Sequence, residues 1–186
     1  MSSLLRPEEV GRRIRQRRLA ARLSMRGLAA RTDFSPSFIS QVEHGQVSPS
    51  IGSLQRLAEV LGVTIGQFFE AEAGSFGLVV KKKDRTRLDS GWSQARLEAL
   101  LRDRPGRRLE AVLITLRRGG RSGKRAHAPA HEELVYVLRG NVRLELRGSV
   151  ERLGVGDVVS LPAGEPRLFA NSGPARAELL LVSSRG

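Results

Sequence analysis

The hydrophobic period of this chain changes near residue 70, and the change dictates two bodies of different construction. Before it, apolar residues recur every three or four positions between residues that start and stop helices. After it, short apolar runs are interrupted by polar residues and glycine, as half-buried strands require. No single bundle or sheet satisfies both periods, so the expected fold class is α + β in two domains. With 186 residues, the chain can build two small cores. The expected boundaries are 8–70 for the helical domain, 71–77 for a linker and 78–184 for the β domain.

The first domain reads as five short helices. In 7–21, Val10, Ile14 and Leu19 form the expected apolar side, with arginines opposite. Ser24 caps a second helix through Arg31, with Leu28 and Ala29 inward. Ser35 caps a third, Pro36 is pre-organised for its first position, and Gly45 ends it. Ser50 opens a fourth with Ile51, Leu54, Leu57, Ala58 and Leu61, and Thr64 caps a last one with Ile65, Phe68 and Phe69. On the third helix, Phe38, Ile39 and Val42 share one face, while Ser37, Gln41 and His44 share the other. Two turns of helix do not hold in water alone, so this one must be docked on its neighbours. Its outward face of small and amide side chains suits the major groove of DNA.

The net charge of +13, carried mostly by arginine, favours a polyanionic partner. The absence of cysteine excludes disulfides, thiolate metal sites and cysteine catalysis. No apolar run approaches membrane-spanning length, and the polar start Met1-Ser2-Ser3 lacks a signal-peptide core. A soluble, cytoplasmic protein with no membrane partner is expected.

Three stretches, Ser24-Met25-Arg26-Gly27-Leu28-Ala29, Ser35 to Gly45 and Ser48-Pro49-Ser50, together resemble the Cro/phage-repressor (XRE-family) helix-turn-helix. The family usually has glycine where this chain has Asp33, a residue that tolerates the left-handed turn conformation. The resemblance implies a five-helix bundle that lays 35–44 in the major groove. Gln41 would then pair with adenine, Ser37 with a base edge, and Pro36 would lie against a thymine methyl. Arg26, Ser35, Ser40 and His44 would meet phosphates, which position the helix without reading sequence. The resemblance also implies a structural pair between Arg18 and Glu43.

In the second domain, strands are expected at 78–82, 95–101, 109–116, 134–138, 142–146, 158–161 and 179–182, with a hairpin turn at Arg139-Gly140-Asn141. Gly156, Pro162-Ala163-Gly164, Arg167 and Asn171 resemble one of the two motifs of the cupin family; Gly120, His127, Pro129, Glu133 and Gly140 resemble a damaged form of the other. This implies a double-stranded, jelly-roll-like β-barrel. Metal-binding cupins use three histidines and a glutamate; here His127 and Glu133 stand at ligand positions, but Pro129 and Arg167 replace the other two. Proline offers no side-chain donor and a guanidinium repels a cation, so no metal and no cofactor is expected. His131 could shift toward such a site, with Arg167 still opposed to it. A pocket of His127, Glu133, Tyr136 and Arg167 is expected, in which Arg167 pairs with Glu133 or clamps an anionic ligand.

The expected function is a DNA-binding transcription regulator without catalytic residues. It would bind a near-palindromic operator as a homodimer, and its cupin domain would dimerise and sense an unidentified small molecule. The alternative is a metal-dependent cupin enzyme, resembling phosphonate epoxidases that carry a helix-turn-helix.

Overall fold

The computed structural model describes residues 5–69, 78–102 and 107–184; the expected linker at 71–77 lies outside the described residues. Four α-helices come first: α1 (Pro7–Ala20), α2 (Met25–Thr32), α3 (Pro36–Glu43) and α4 (Ile51–Val60). The expected fifth helix is a single 3-10 turn at Ile65–Phe68, capped by Thr64 as expected. One tight turn suffices to bury Ile65, Phe68 and Phe69, so nothing calls for a longer helix.

Each expected serine cap is made: Ser24, Ser35 and Ser50 accept from the amides of Gly27, Phe38 and Ser53 at 2.9, 3.0 and 3.1 Å. Asp33 closes α2 in the left-handed conformation at φ 56°, which lets the chain turn sharply into α3. Leu19 departs from expectation at 56% exposed. The inward stripe of α1 is Val10, Ile14 and Arg18 at four-residue spacing, which leaves Leu19 outside. Gly11 lies where α1 crosses α3. A side chain there would start 2.2 Å from the Val42 carbonyl oxygen, so only glycine permits this approach.

Among the described residues nine strands follow: β1 (Arg87–Ser90), β2 (Ala95–Ala99), β3 (Leu109–Leu116), β4 (Glu133–Arg139), β5 (Val142–Leu146), β6 (Ser149–Leu153), β7 (Val158–Leu161), β8 (Arg167–Asn171) and β9 (Ala177–Ser184). They form two antiparallel sheets, β1-β2-β3-β9-β4-β7 and β6-β5-β8, rather than a closed barrel. Ile114, Leu116, Val135, Val137, Leu179 and Leu181 from the larger sheet join Val142, Leu144 and Phe169 from the smaller one in the core.

Arg139-Gly140-Asn141 is not a hairpin turn. β4 pairs with β7 and β9, whereas β5 pairs with β6 and β8, so this segment is a corner between sheets. Gly140 has φ +77° and its missing side chain admits the Arg176 carbonyl, which would otherwise lie 2.8 Å from a Cβ. The true hairpin turn of this region is Arg147-Gly148, both at positive φ, between β5 and β6. No strand forms at 78–82, where Leu78 and Val79 are exposed and the lysines begin a 3-10 turn. No helix among the described residues is long and apolar enough to cross a membrane.

Candidate functional site

The exposed side of α3 presents Pro36, Ser37, Gln41 and His44, with Ser35 exposed just ahead of it. Its other side buries Ile39, Val42 and Glu43. Glu43 is held by a fork of hydrogen bonds, Arg18 Nε to Oε1 at 2.6 Å and Nη2 to Oε2 at 2.9 Å. This is the pair implied between α1 and α3. The hydrogen bond to Glu43 is the main reason the Arg18 guanidinium holds its proton more tightly than usual.

Ser35 Oγ accepts its cap bond, and its hydroxyl hydrogen remains available as a donor. His44 is exposed, and its Nδ1 lies 2.8 Å from the Ser40 carbonyl, a contact that needs the proton on Nδ1. Ser40 itself is half-buried, and Arg26 is exposed on the first turn of α2.

In the β domain, His127, Glu133 and Arg167 meet. Arg167 Nε donates to Glu133 Oε2 at 2.7 Å, Nη2 touches the same carboxylate, and Nη1 donates to the His127 carbonyl at 3.2 Å. All three residues are buried. Tyr136 does not join them. It has the opposite strand parity from Glu133 and lies with Leu134 and Leu138 on the outer face of β4.

The unexpected member of the cluster is Gln55. It reaches in from α4, donating through Nε2 to Glu133 Oε1 at 2.8 Å and accepting from Arg167 Nη2 at 3.2 Å. Glu59, one turn later, accepts from the Ala130 amide at 3.1 Å and lies 3.4 Å from His127 Nε2. Burial, the largest influence on Glu59, pushes its carboxyl up. The His127 side chain, the Ala130 amide and the charges of His127 and His131 outweigh it and hold the carboxyl below its ordinary range. Gly52, one turn before Gln55, donates its amide to the Ser122 carbonyl at 3.1 Å. Gly52, Gln55 and Glu59 thus form one stripe of α4 against the β domain, while Leu54, Leu57 and Ala58 face the helical core. In the sequence this stripe looks like any solvated helix face. No local signal separates a polar face that meets water from one that meets a second domain.

These residues do not fit a cupin metal centre. Both Glu133 oxygens are engaged, one by Gln55 and the other by Arg167, whose positive charge against this carboxylate opposes a cation there. Pro129 has no side-chain donor.

Comparison with known proteins agrees with this architecture. The helix-turn-helix family HTH_3 matches residues 14–68, and the cupin domain family Cupin_2 matches residues 112–183. The HTH-type transcriptional regulator PuuR of Escherichia coli (strain K12) is 29% identical over 163 residues, covering 87% of each chain. The crystal structure of an HTH_3 family transcriptional regulator from Vibrio cholerae superposes with a TM-score of 0.77 over 97% of each chain at 19% identity, a likeness of fold. An RmlC-like cupin from Shewanella frigidimarina NCIMB 400 matches 59% of this chain and 92% of its own at TM-score 0.50 and 20% identity. The chain therefore joins an XRE-type helix-turn-helix domain of the HTH_3 family to a C-terminal cupin domain.

Proposed function

We propose that this protein is a cytoplasmic, sequence-specific DNA-binding transcription regulator, with its reading head in 8–70 and its sensor in 78–184. The observation that carries this is the exposed Ser37, Gln41 and His44 face of α3, capped at its start and locked from behind by Arg18 and Glu43. The likeness to a named transcriptional regulator over 87% of the chain supports the same reading. Gln41 and Ser37 read bases, Pro36 packs on a thymine methyl, and Arg26, Ser35, Ser40 and His44 hold phosphates. Selection of duplexes from a random pool tests it: the wild type should recover a near-palindromic sequence, and Gln41→Ala with Ser37→Ala should lose that preference. An unchanged preference in the double variant would sink the assignment.

The regulator acts as a homodimer through the outer face of the larger sheet. There Leu134 and Tyr136 on β4 stand opposite Val182 and Leu180 on β9, Tyr136 also stands opposite Val158 on β7, and Leu138 follows at the irregularity where β4 shifts register. Leu134, Leu138 and Val158 are 45%, 43% and 54% exposed, an apolar patch of the kind that marks an association surface.

An effector acts at the seam between domains. A small cleft there is lined by Gln55 and Glu59 of α4 and by Glu110, His131 and Glu133 of the β domain. A molecule entering it necessarily works against the contacts that orient α4, which is how it would favour one arrangement of the reading heads. Enzymatic chemistry is not part of this reading, because the His127, Glu133 and Arg167 cluster is committed to an internal ion pair.

A further inference from the structure

Five basic residues of the β domain, Arg117, Arg118, Arg121, Lys124 and Arg125, lie exposed on the segment between β3 and β4. The segment is tied down at several points. The Arg117 amide donates to the Gln94 carbonyl at 2.9 Å, the Arg121 amide to Ser93 at 2.8 Å, and the Ser122 amide to Phe169 at 2.8 Å. Its charges are therefore carried on a fixed support. Arg117 is 3.7 Å from Asp89 and Arg121 is 3.9 Å from Glu145. Among the described residues, no carboxylate pairs with Arg118, Lys124 or Arg125.

This segment abuts the stretch of chain that leaves the reading helix. Ser48, between α3 and α4, donates to the Asp89 carbonyl at 3.2 Å and accepts from Trp92 Nε1 at 3.0 Å. Lys124 Nζ stands 5.3 Å from the centre of the same Trp92 ring. Gly52 is bonded to Ser122. Through Trp92 and Ser48, Lys124 and its neighbours are thus linked to the chain that leaves the reading helix, on the side where the phosphates flanking the read bases would pass.

We propose that the 117–125 segment of the cupin domain is a second DNA-binding surface, contacting the phosphate backbone that flanks the bases read by α3. Its occupant is the duplex itself, on the grounds of charge complementarity and continuity with the α3 face. The proposal rests on the DNA-reading assignment of α3, so the test separates the two.

Full-length wild type is compared with the triple variant Arg118→Gln, Lys124→Gln, Arg125→Gln on a selected duplex, once with long flanks and once trimmed to the read bases. Affinity is measured across a salt series. On the long duplex, the slope of log K against log salt should fall by about two to three in the variant, roughly one for each phosphate that is no longer neutralised. On the trimmed duplex the two proteins should bind alike, and the base preference of the variant should match the wild type. Equal slopes on the long duplex overturn the proposal, as does an equal loss on both duplexes. The Gln41→Ala, Ser37→Ala protein serves as the contrast: it should lose sequence preference while retaining the wild-type slope on long duplexes. If it keeps its preference, the reading of α3 fails instead. All three substituted residues are exposed, so no more than a small shift of the thermal transition, from the lost Lys124–Trp92 contact, is expected to accompany the altered slope.

Discussion

Gln41, Arg18 and Arg167 illustrate three ways in which one side chain constrains this molecule. Gln41 faces solvent and costs the fold nothing to replace; removing a bidentate amide from a base pair typically sacrifices about 1–3 kcal/mol of discrimination. Gln41→Ala is therefore expected to flatten the preference at one base position by about that amount, with no change in the denaturation midpoint. Arg18 and Arg167 are buried against carboxylates, and there the cost falls on stability. Arg18→Met leaves the buried Glu43 carboxylate without its counter-charge, and Arg167→Met leaves Glu133 with only the Gln55 amide, each expected to destabilise by about 3–5 kcal/mol in denaturant titrations. Pairing Arg167→Met with Glu133→Leu should recover much of the loss, since no buried charge is left behind. If the double variant is no better than the single one, the ion pair is not what the site depends on. The Arg18–Glu43 pair is foreseeable through the resemblance to the Cro/phage-repressor helix-turn-helix, which implies it. The choice between pairing and ligand binding for Arg167 is not, because it depends on Gln55, separated from it by 112 positions.

At the scale of elements, the reading helix is defined by its ends. Ser35→Ala removes the cap on the Phe38 amide and should cost about 1 kcal/mol of stability. Its effect on DNA affinity should be larger than that loss alone explains, because the same hydroxyl is assigned to a phosphate. Equal effects on stability and affinity would leave Ser35 a cap and nothing more. Caps and apolar stripes are local patterns, so α2, α3 and α4 are readable in the chain to within a residue or so. Strand pairing is not local. β6 carries exposed side chains along most of its length and has no apolar face to announce it. The residues at 139–141 resemble a hairpin turn until the pairing of β4 and β5 with different partners is known.

At the scale of the whole molecule, α4 serves two domains at once. Its apolar side completes the helical core, and its polar stripe of Gly52, Gln55 and Glu59 docks on the β domain. Glu59 is held ionised below its usual range, so its contribution to the seam is present above the unfolded carboxylate pKa of about 4.3 and is lost as pH falls through the lower folded value. Glu59→Gln should be less stable than wild type at neutral pH, and the difference should shrink below about pH 4; a gap that persists at low pH would mean its charge is not involved. Dimerisation belongs to this scale as well. Leu134→Glu with Leu138→Glu puts charges on the outer sheet face, and sedimentation should then report a monomer that binds a palindromic duplex far more weakly.

The amino-acid sequence by itself determined the change from helical to strand construction, the capped reading helix and the residues on its outward face. These follow from periodicity and from side chains that bond to their own neighbourhood, and both are written within a few positions. Only the tertiary structure decided how the two sheets divide the strands, which face takes Tyr136, and that the damaged cupin site is closed by a glutamine from the DNA-reading domain. Those outcomes depend on pairings between residues far apart in the chain. There the stabilising term is mutual, since Glu133, Arg167 and Gln55 each satisfy groups that burial would otherwise leave unpaired.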